Sequence, residues 1–294
     1  MSNIVLKFKV EEEVLLRDFL FLKKISRSTL TRIKYDEGGL ILVDGKEEGV
    51  RYNLSPGQEI EVHLPKEKFS PNVRFIEGDL AILYEDQYFM IIDKPWNLAT
   101  IPTRDKLDSS LLEIVNYYFK KQGYTTIPHV VTRLDRDTSG LVLIAKHRYV
   151  HALFEKVDID KIYLAICSGL TPKELVIEKN IALSPDSIIE RVISEDGKYA
   201  KTKLTRILYK EVGDYSLIKL KLFTGRTHQI RLHCKSIGHA LLGDFLYGIK
   251  TELIDRQALH AHKLVFEHPI SARKLKIVSK LPEDMKSLVE NFKI

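Results

Sequence analysis

The stretch "RLDRDTSGLVLIA", residues 133–145, joins a tight cluster of charges to an unbroken apolar string. A short apolar run bounded by turn residues reads as a strand covered on both faces. Asp137-Thr138-Ser139-Gly140 is turn chemistry, because Asp, Thr and Ser side chains bond back to their own backbone and Gly tolerates the tightest geometry. Two arginines and two aspartates therefore stand at the mouth of a buried strand. Asp135, Asp137 and Ser139 at alternate positions, with Gly140 next, open like a calcium-binding EF-hand loop. The twelfth position counted from Asp135 is Lys146 and not a bidentate acid, so calcium does not fit. Two readings of Asp135 stay open at this level. Its side chain either caps the turn, or is held at the edge of a rigid sheet as a nucleophile or base facing a cleft.

Working outward, the chain has 294 residues, which at roughly 150 residues per domain predicts two domains. Hydrophobic residues make up 44% and charged residues 29%, the balance of a water-soluble globular protein. No apolar run approaches the roughly 20 residues of a membrane span, and Met1-Ser2-Asn3-Ile4-Val5 opens no signal peptide pattern. A cytoplasmic protein with no membrane partner is expected. Cys167 and Cys234 are too few for a disulfide framework and read as ordinary thiols. A net charge of +6 and a pI near 9.0 point toward a polyanionic partner.

Residues 1–64 form a first unit, "PKEKFSPNVR" (65–74) a linker, and residues 75–294 a second unit. In the first, Val14, Leu15, Phe19 and Leu22 recur at helical spacing, and a second helix starts near Ser26 or Ser28 as its cap. Gly38-Gly39 ends it, Leu40 to Val43 is a strand, Asp44-Gly45 a hairpin turn, and "GQEIEVHL" a closing strand, giving the order helix, helix, hairpin. Of the seven charges from Arg17 to Lys34, six are positive. A charge run of this kind is often only a solvated helix face; here Lys23, Lys24, Arg27, Arg32 and Lys34 are also candidates to contact RNA phosphates. "FLKKISRSTLTRIKYDEGGLILVDGK" followed by "NLSPGQEIEV" resembles the S4 RNA-binding domain, with Gln58 where that family usually has Asp.

The second unit mixes short strands with helices. Leu80 to Tyr84 and Phe89 to Ile92 flank Glu85-Asp86-Gln87 as a hairpin, ended by Lys94-Pro95. "TKLTRILYK" and "YSLIKLKLF" alternate at period two, as antiparallel strands covered on one face do. The fold class is therefore α+β. In "FTGRTHQIRLHCKSIGHALLGD" (223–244), Ile230, Cys234 and Ile237 share one helical face, and His228, Arg231 and Lys235 another, a basic stripe. Its histidines and cysteine lack any zinc-site spacing, and no P-loop accompanies Arg226. In "DKIYLAICSGL" (160–170), Lys161 and Tyr163 point to one face, a placement that a plain core tyrosine would share.

These stretches in this order, with "DKPWNLATIP" before and "LHAHKLVFEHP" after, resemble the RluA-type family of pseudouridine synthases over about residues 79–275. Its signature H-R-L-D-x-x-T-S-G is met by "TRLDRDTSG", and G-R-x-H-Q-[IL]-R by "GRTHQIR". The resemblance implies a mixed, mostly antiparallel sheet with flanking helices and a central cleft. It also implies isomerisation of a uridine in structured RNA without metal or organic cofactor. By that match Asp135 is the catalytic aspartate, Arg231 its arginine partner and Tyr163 the contact to the base. Arg133 is a candidate to fill the space that a flipped uridine leaves, and Arg226 and His228 join the RNA-binding set. An S4 companion favours ribosomal RNA, of the 23S type, over transfer RNA, and a monomer is expected. Thr132 replaces the usual His of the signature, and Asn97 the usual Gly of K-P-x-G, where Asn, next after Gly in tolerance of positive φ, can keep a left-handed turn.

Overall fold

The computed structural model describes residues 4–103, 108–248 and 251–290; the leader reading of residues 1–3 lies outside them. The first unit opens with a strand, Val5–Lys9, that the expected order of helix, helix, hairpin lacks. Its alternation of apolar and lysine residues buries Leu6 completely, and it pairs antiparallel with Glu59–His63, which also pairs with Leu40–Val43. Helices Leu16–Leu22 and Arg27–Tyr35 pack on this sheet. Val14–Leu15 is a two-residue strand ahead of the first helix, and Leu22 is exposed. Ser26 caps the second helix by accepting from the Thr29 N–H at 3.2 Å. Asp44 and Gly45 have φ values of 50° and 78°, the two left-handed residues of a type I′ hairpin turn. Gln58 ties turns together: its amide donates to Asp44 Oδ2 at 2.8 Å, and its carbonyl accepts from the Ser55 N–H at 2.8 Å.

Residues 65–74 carry neither helix nor strand, yet they are fastened at Glu67. This buried carboxylate accepts from Arg148 Nε at 2.6 Å and contacts His129 Nε2 at 3.0 Å, while Pro65 O contacts His147 Nε2 at 3.1 Å. Burial works to raise the Glu67 carboxyl, but His129, His147 and Arg148 outweigh it and bring it down to about 2. One apolar core runs across this segment, from Leu16, Leu20 and Ile25 to Tyr149, Leu153 and Phe154.

The second unit is built on a ten-stranded sheet in two halves. One half holds Ile82–Glu85, Phe89–Lys94, Ser139–Ala145 and the short His129–Val130. The other holds Leu259–Glu267, Asp160–Ser168, Tyr215–Leu222, Lys201–Lys210 and Glu174–Glu178, with Lys274–Val278 beside Leu259–Glu267. Ser139–Ala145 is covered on both faces. Helix Leu111–Lys121 packs over Val142 and Ile144, and helix Arg148–Phe154 over Leu141 and Leu143. Ser110 and Glu113 form a capping box at the start of the first of these helices.

The halves meet where Ser139–Ala145 runs parallel to Leu259–Glu267 over only two residue pairs, Ser139 with His260 and Gly140 with Ala261. Every other pairing in this sheet is antiparallel. The approach is so close that a Cβ on Gly140, whose φ is 110°, would lie 2.4 Å from the Ala261 carbonyl oxygen. Polar side chains fill the seam. His260 Nδ1 contacts Ser139 Oγ at 3.0 Å, its Nε2 contacts Ser279 Oγ at 3.0 Å, and Ser279 Oγ donates to Asp93 at 2.7 Å. Burial and the neighbouring His262 lower His260 to about 4.

A histidine whose folded value lies below its unfolded one takes up protons on unfolding. Stability is then complete above pH 6.5 and lost as pH falls from there toward 4. The span is worth on the order of 3 kcal/mol. Replacing His260 with Gln should flatten the fall of the thermal midpoint between pH 6.5 and 4; equal slopes in variant and parent would remove His260 as its source.

Candidate active site in the cleft

Asp135 sits where the first half-sheet delivers its chain to the seam. The turn after it closes through backbone, Thr138 N–H donating to Asp135 O at 3.1 Å. The carboxylate is thereby free of the capping role and faces a cleft of 540 Å³ lined by Arg133, Asp135, Lys161, Tyr163, His228 and Arg231, among others. The mount is held from below by Lys94, which is fully buried. Its ammonium donates to Pro95 O, Leu98 O and Arg136 O at 2.8, 2.7 and 3.0 Å, joining the loop 95–98 to the loop 133–136. Burial lowers this lysine to about 7 against the charges of Asp137 and Asp135, and the three carbonyls favour its charged form.

The opposite wall comes from helix Gln229–Lys235, which seats Ile230 and Cys234 on the second half-sheet. Arg231 is turned inward and almost fully buried. Its main partner is Asp244: Nε to Oδ2 at 2.7 Å and Nη2 to Oδ1 at 2.6 Å, a bidentate pair. Nη1 is left to reach Asp135 Oδ2 at 3.5 Å. Burial alone would raise the Asp244 carboxyl, but Arg231 and the N–H groups of Leu246 and Tyr247 hold it below the ordinary carboxylate value. The Tyr247 ring lies under the guanidinium, 4.9 Å from its carbon.

The basic stripe expected of His228, Arg231 and Lys235 gathers on one ring, Tyr247, which lies 5.5 Å from the His228 ring, 4.9 Å from the Arg231 guanidinium carbon and 5.6 Å from Lys235 Nζ. The helix starts at Gln229, and His228 precedes it with φ 56°, so the preceding turn and not the helix directs its ring. The ring points into the cleft, Nδ1 2.9 Å from the Tyr247 hydroxyl and Nε2 3.9 Å from Asp135 Oδ2. Tyr247 Oη also accepts from the Arg191 N–H at 2.7 Å; in the tautomer in which the hydroxyl donates to Nδ1, the Nε2–H faces Asp135. Burial, aided by Arg231 and Arg191 and opposed by Asp135, lowers His228 and keeps it neutral. Tyr163 lines the same cleft, its phenol raised by burial and by Asp135.

Of the other expected residues, Arg133 and Arg226 are exposed at the rim of the cleft, and Arg226 Nε donates to Tyr199 O at 3.0 Å. Lys23, Lys24, Arg27 and Lys34 are exposed on the first unit. Arg32 differs, being half-buried and paired with Asp36 at 2.8 Å. Asn97 keeps the left-handed turn, with φ 58°, and adds a grip: its Oδ1 accepts from Arg136 Nε and Nη2 at 3.0 and 2.8 Å. Thr132 Oγ accepts from the Leu143 N–H at 2.9 Å, in the second half of the strand Ser139–Ala145.

Asp244 and Tyr247 escaped the sequence reading. A signal existed, because a buried arginine needs an acid, and Asp244 is the first acid after Arg231 in the chain. Among the described residues no group of three His, Cys, Asp or Glu side chains is placed to hold a metal ion, and no helix is long and apolar enough to cross a membrane.

Comparison with known proteins agrees on one family. Residues 88–236 match the RNA pseudouridylate synthase family. The RNA pseudouridine synthase YjbO of Bacillus subtilis is 36% identical over 271 residues, covering 90% of this chain and 95% of that one. The ribosomal large subunit pseudouridine synthase D of Haemophilus ducreyi is 32% identical, covering 90% of this chain and 86% of that one. Human RNA pseudouridylate synthase domain containing 1 superposes with a TM-score of 0.56 at 25% identity, over 72% of this chain and 94% of that one. With the motifs in register, the cleft between two half-sheets and relatives matched along most of their length, the chain belongs to the RluA-type RNA pseudouridine synthases, isomerases that act on RNA.

Proposed function

We propose that Asp135 is the single catalytic carboxylate, and that the substrate is a uridine of large-subunit ribosomal RNA. One observation carries the first part: among the described residues lining the cleft, Asp135 is the only acid. Glycosidases need two carboxylates, one of them to protonate a departing group. Pseudouridine formation loses nothing to water, since the uracil leaves C1′ through N1, turns and returns through C5, so one ionised carboxylate suffices. Asp135 acts on the ribose, as nucleophile at C1′ or as base toward a ribose proton. Tyr163 carries the uracil ring and lies beside the C5 proton that departs. Arg231, fixed by Asp244, turns Nη1 toward Asp135, and His228 offers a neutral N–H on the same side.

The uridine reaches this depth by flipping out of its stack, with Arg133 bracing the space it leaves. Lys23, Lys24, Arg27, Lys34 and Arg226 meet phosphates along the RNA. Residues 1–64 serve as an S4-like RNA-binding domain and residues 75–294 as the catalytic domain, working as a cytoplasmic monomer. The ribosomal assignment is supported by the names of relatives in Haemophilus ducreyi and Zymomonas mobilis, both large-subunit ribosomal enzymes. Mapping pseudouridine in ribosomal and transfer RNA from a strain lacking the protein tests it: loss of a ribosomal position is expected, and loss confined to transfer RNA refutes it.

Asp135→Asn should abolish pseudouridine formation while RNA affinity stays within about threefold; turnover near the parent level would remove Asp135 from its role. Arg231→Lys and Asp244→Asn should each lower kcat by roughly a hundredfold with the fold intact by circular dichroism. Lysine cannot make the planar pair, and Asn cannot hold the guanidinium in place. A mild effect of Asp244→Asn would mean that Arg231 keeps its place without the pair. Replacing Lys24, Arg27 and Lys34 with Gln should flatten the salt dependence of RNA binding, each lost phosphate contact reducing the slope by about 0.7 to 0.9; an unchanged slope would take these residues off the RNA path.

A further inference from the structure

A second cleft, of 440 Å³, continues from the catalytic one. The two share Val131, Thr132, Lys161, Leu222 and Gly225 in their walls, so they meet along one edge. Thr132 stands at this junction in place of a bulkier histidine. Beyond the junction the wall carries Phe223, a ring 51% exposed in a protein that buries most of its large apolar side chains. Two ammonium groups lie over it, Lys201 Nζ 5.6 Å and Lys221 Nζ 5.5 Å from the ring centre. Both lysines are themselves paired, with Glu178 at 2.7 Å and Asp160 at 2.5 Å, and about half of the ring stays open to solvent.

The ring stands on a stiff mount. Phe223 N–H donates to Lys201 O at 3.1 Å, and Lys201 N–H to Thr224 Oγ at 2.9 Å. Gln229 holds the rest of the loop, accepting from Thr224 Oγ and from the Arg226 N–H at 2.8 and 3.0 Å while donating to Lys201 O and Thr202 Oγ at 3.0 Å each. At the junction Lys161 is largely buried and makes no ion pair among the described residues; the acid that acts on it is Asp158. A rigid, half-exposed aromatic ring beneath cations is a platform on which single-stranded bases stack; Glu155, Asp158 and Asp160 also line this cleft, and Lys161, which pairs with none of them, is the cation left to meet a phosphate.

We propose that this second cleft is a subsite for the nucleotide next to the target uridine, its base stacked on Phe223 and the phosphate joining it to the target held by Lys161. The subsite rests on the reading of the first cleft as the uridine site, because the shared wall is what makes the two nucleotides neighbours. Stacking tolerates any base, so the subsite selects an unpaired neighbour and not a particular sequence. The enzyme accordingly takes uridines from loops or locally opened strands.

The test compares Phe223→Ala and Phe223→Tyr with the parent on total RNA from a strain lacking the protein. Phe223→Ala should raise KM roughly tenfold, the loss expected of one base stack, with kcat within about twofold, and Phe223→Tyr should restore KM. An unchanged KM for Phe223→Ala overturns the subsite. So that the result does not depend on the catalytic reading, the same substitutions in an Asp135→Asn background are titrated with a fluorescein-labelled form of that RNA. A roughly tenfold loss of affinity for Phe223→Ala, recovered by Phe223→Tyr, supports the subsite whether or not Asp135 is the catalytic group. Equal affinities overturn it on either view.

Discussion

The catalytic unit depends on one close approach, the crossing of Gly140 against the backbone of Ala261. Two half-sheets, each internally antiparallel and each with its own covering helices, touch along two residue pairs and then diverge. Divergence opens a cleft, and the crossing decides what stands at its head. Asp135 lies five residues before Gly140 on one side, and Arg231 arrives on the helix that covers the other. A side chain at 140 would push the halves apart and carry the carboxylate away from the guanidinium. The signature glycine is thus a distance constraint between two functional groups as much as a turn residue.

Around the crossing the protein uses charge to fix charge. Arg231 is committed to Asp244 through two short bonds from Nε and Nη2 and turns Nη1 toward Asp135. This division leaves Asp135 with exposed oxygen atoms, which a full bidentate pair would have tied up. Tyr247 extends the arrangement, with its ring under the arginine and its hydroxyl against Nδ1 of His228. The cleft therefore presents one carboxylate beside groups that are themselves held in place, a preorganised electrostatic setting.

Much of this was legible in the chain. The Ser26 cap, the Asp44-Gly45 turn, the buried strand after Gly140 and the paired strands of residues 201–222 follow from local chemistry, and the structure has them. Local signals were also passed over: the alternation in Val5–Lys9, and the Ser110–Glu113 capping box before Leu111–Lys121. What local chemistry could not supply was pairing at long range. Nothing in "LHAHKLVFE" marks it as the strand that joins the half-sheets, because burial on both sides and parallel contact with residues 139–140 depend on the whole fold. The shared face of His228, Arg231 and Lys235 was legible, but not the Tyr247 ring on which the three converge, nor that the helix begins one residue after His228.

Lys94 holds three carbonyl oxygens and no side chain. An anchor of this kind reads only the path of the main chain, so it is indifferent to which residues decorate the two loops it joins. The loops are free to drift in sequence while their backbones stay in register. At the margin of the site Asn97 and Thr132 each add a hydrogen bond, to Arg136 and to the Leu143 N–H. Side chains on the rim of the cleft can thereby change without moving the backbone that carries the Asp135 carboxylate.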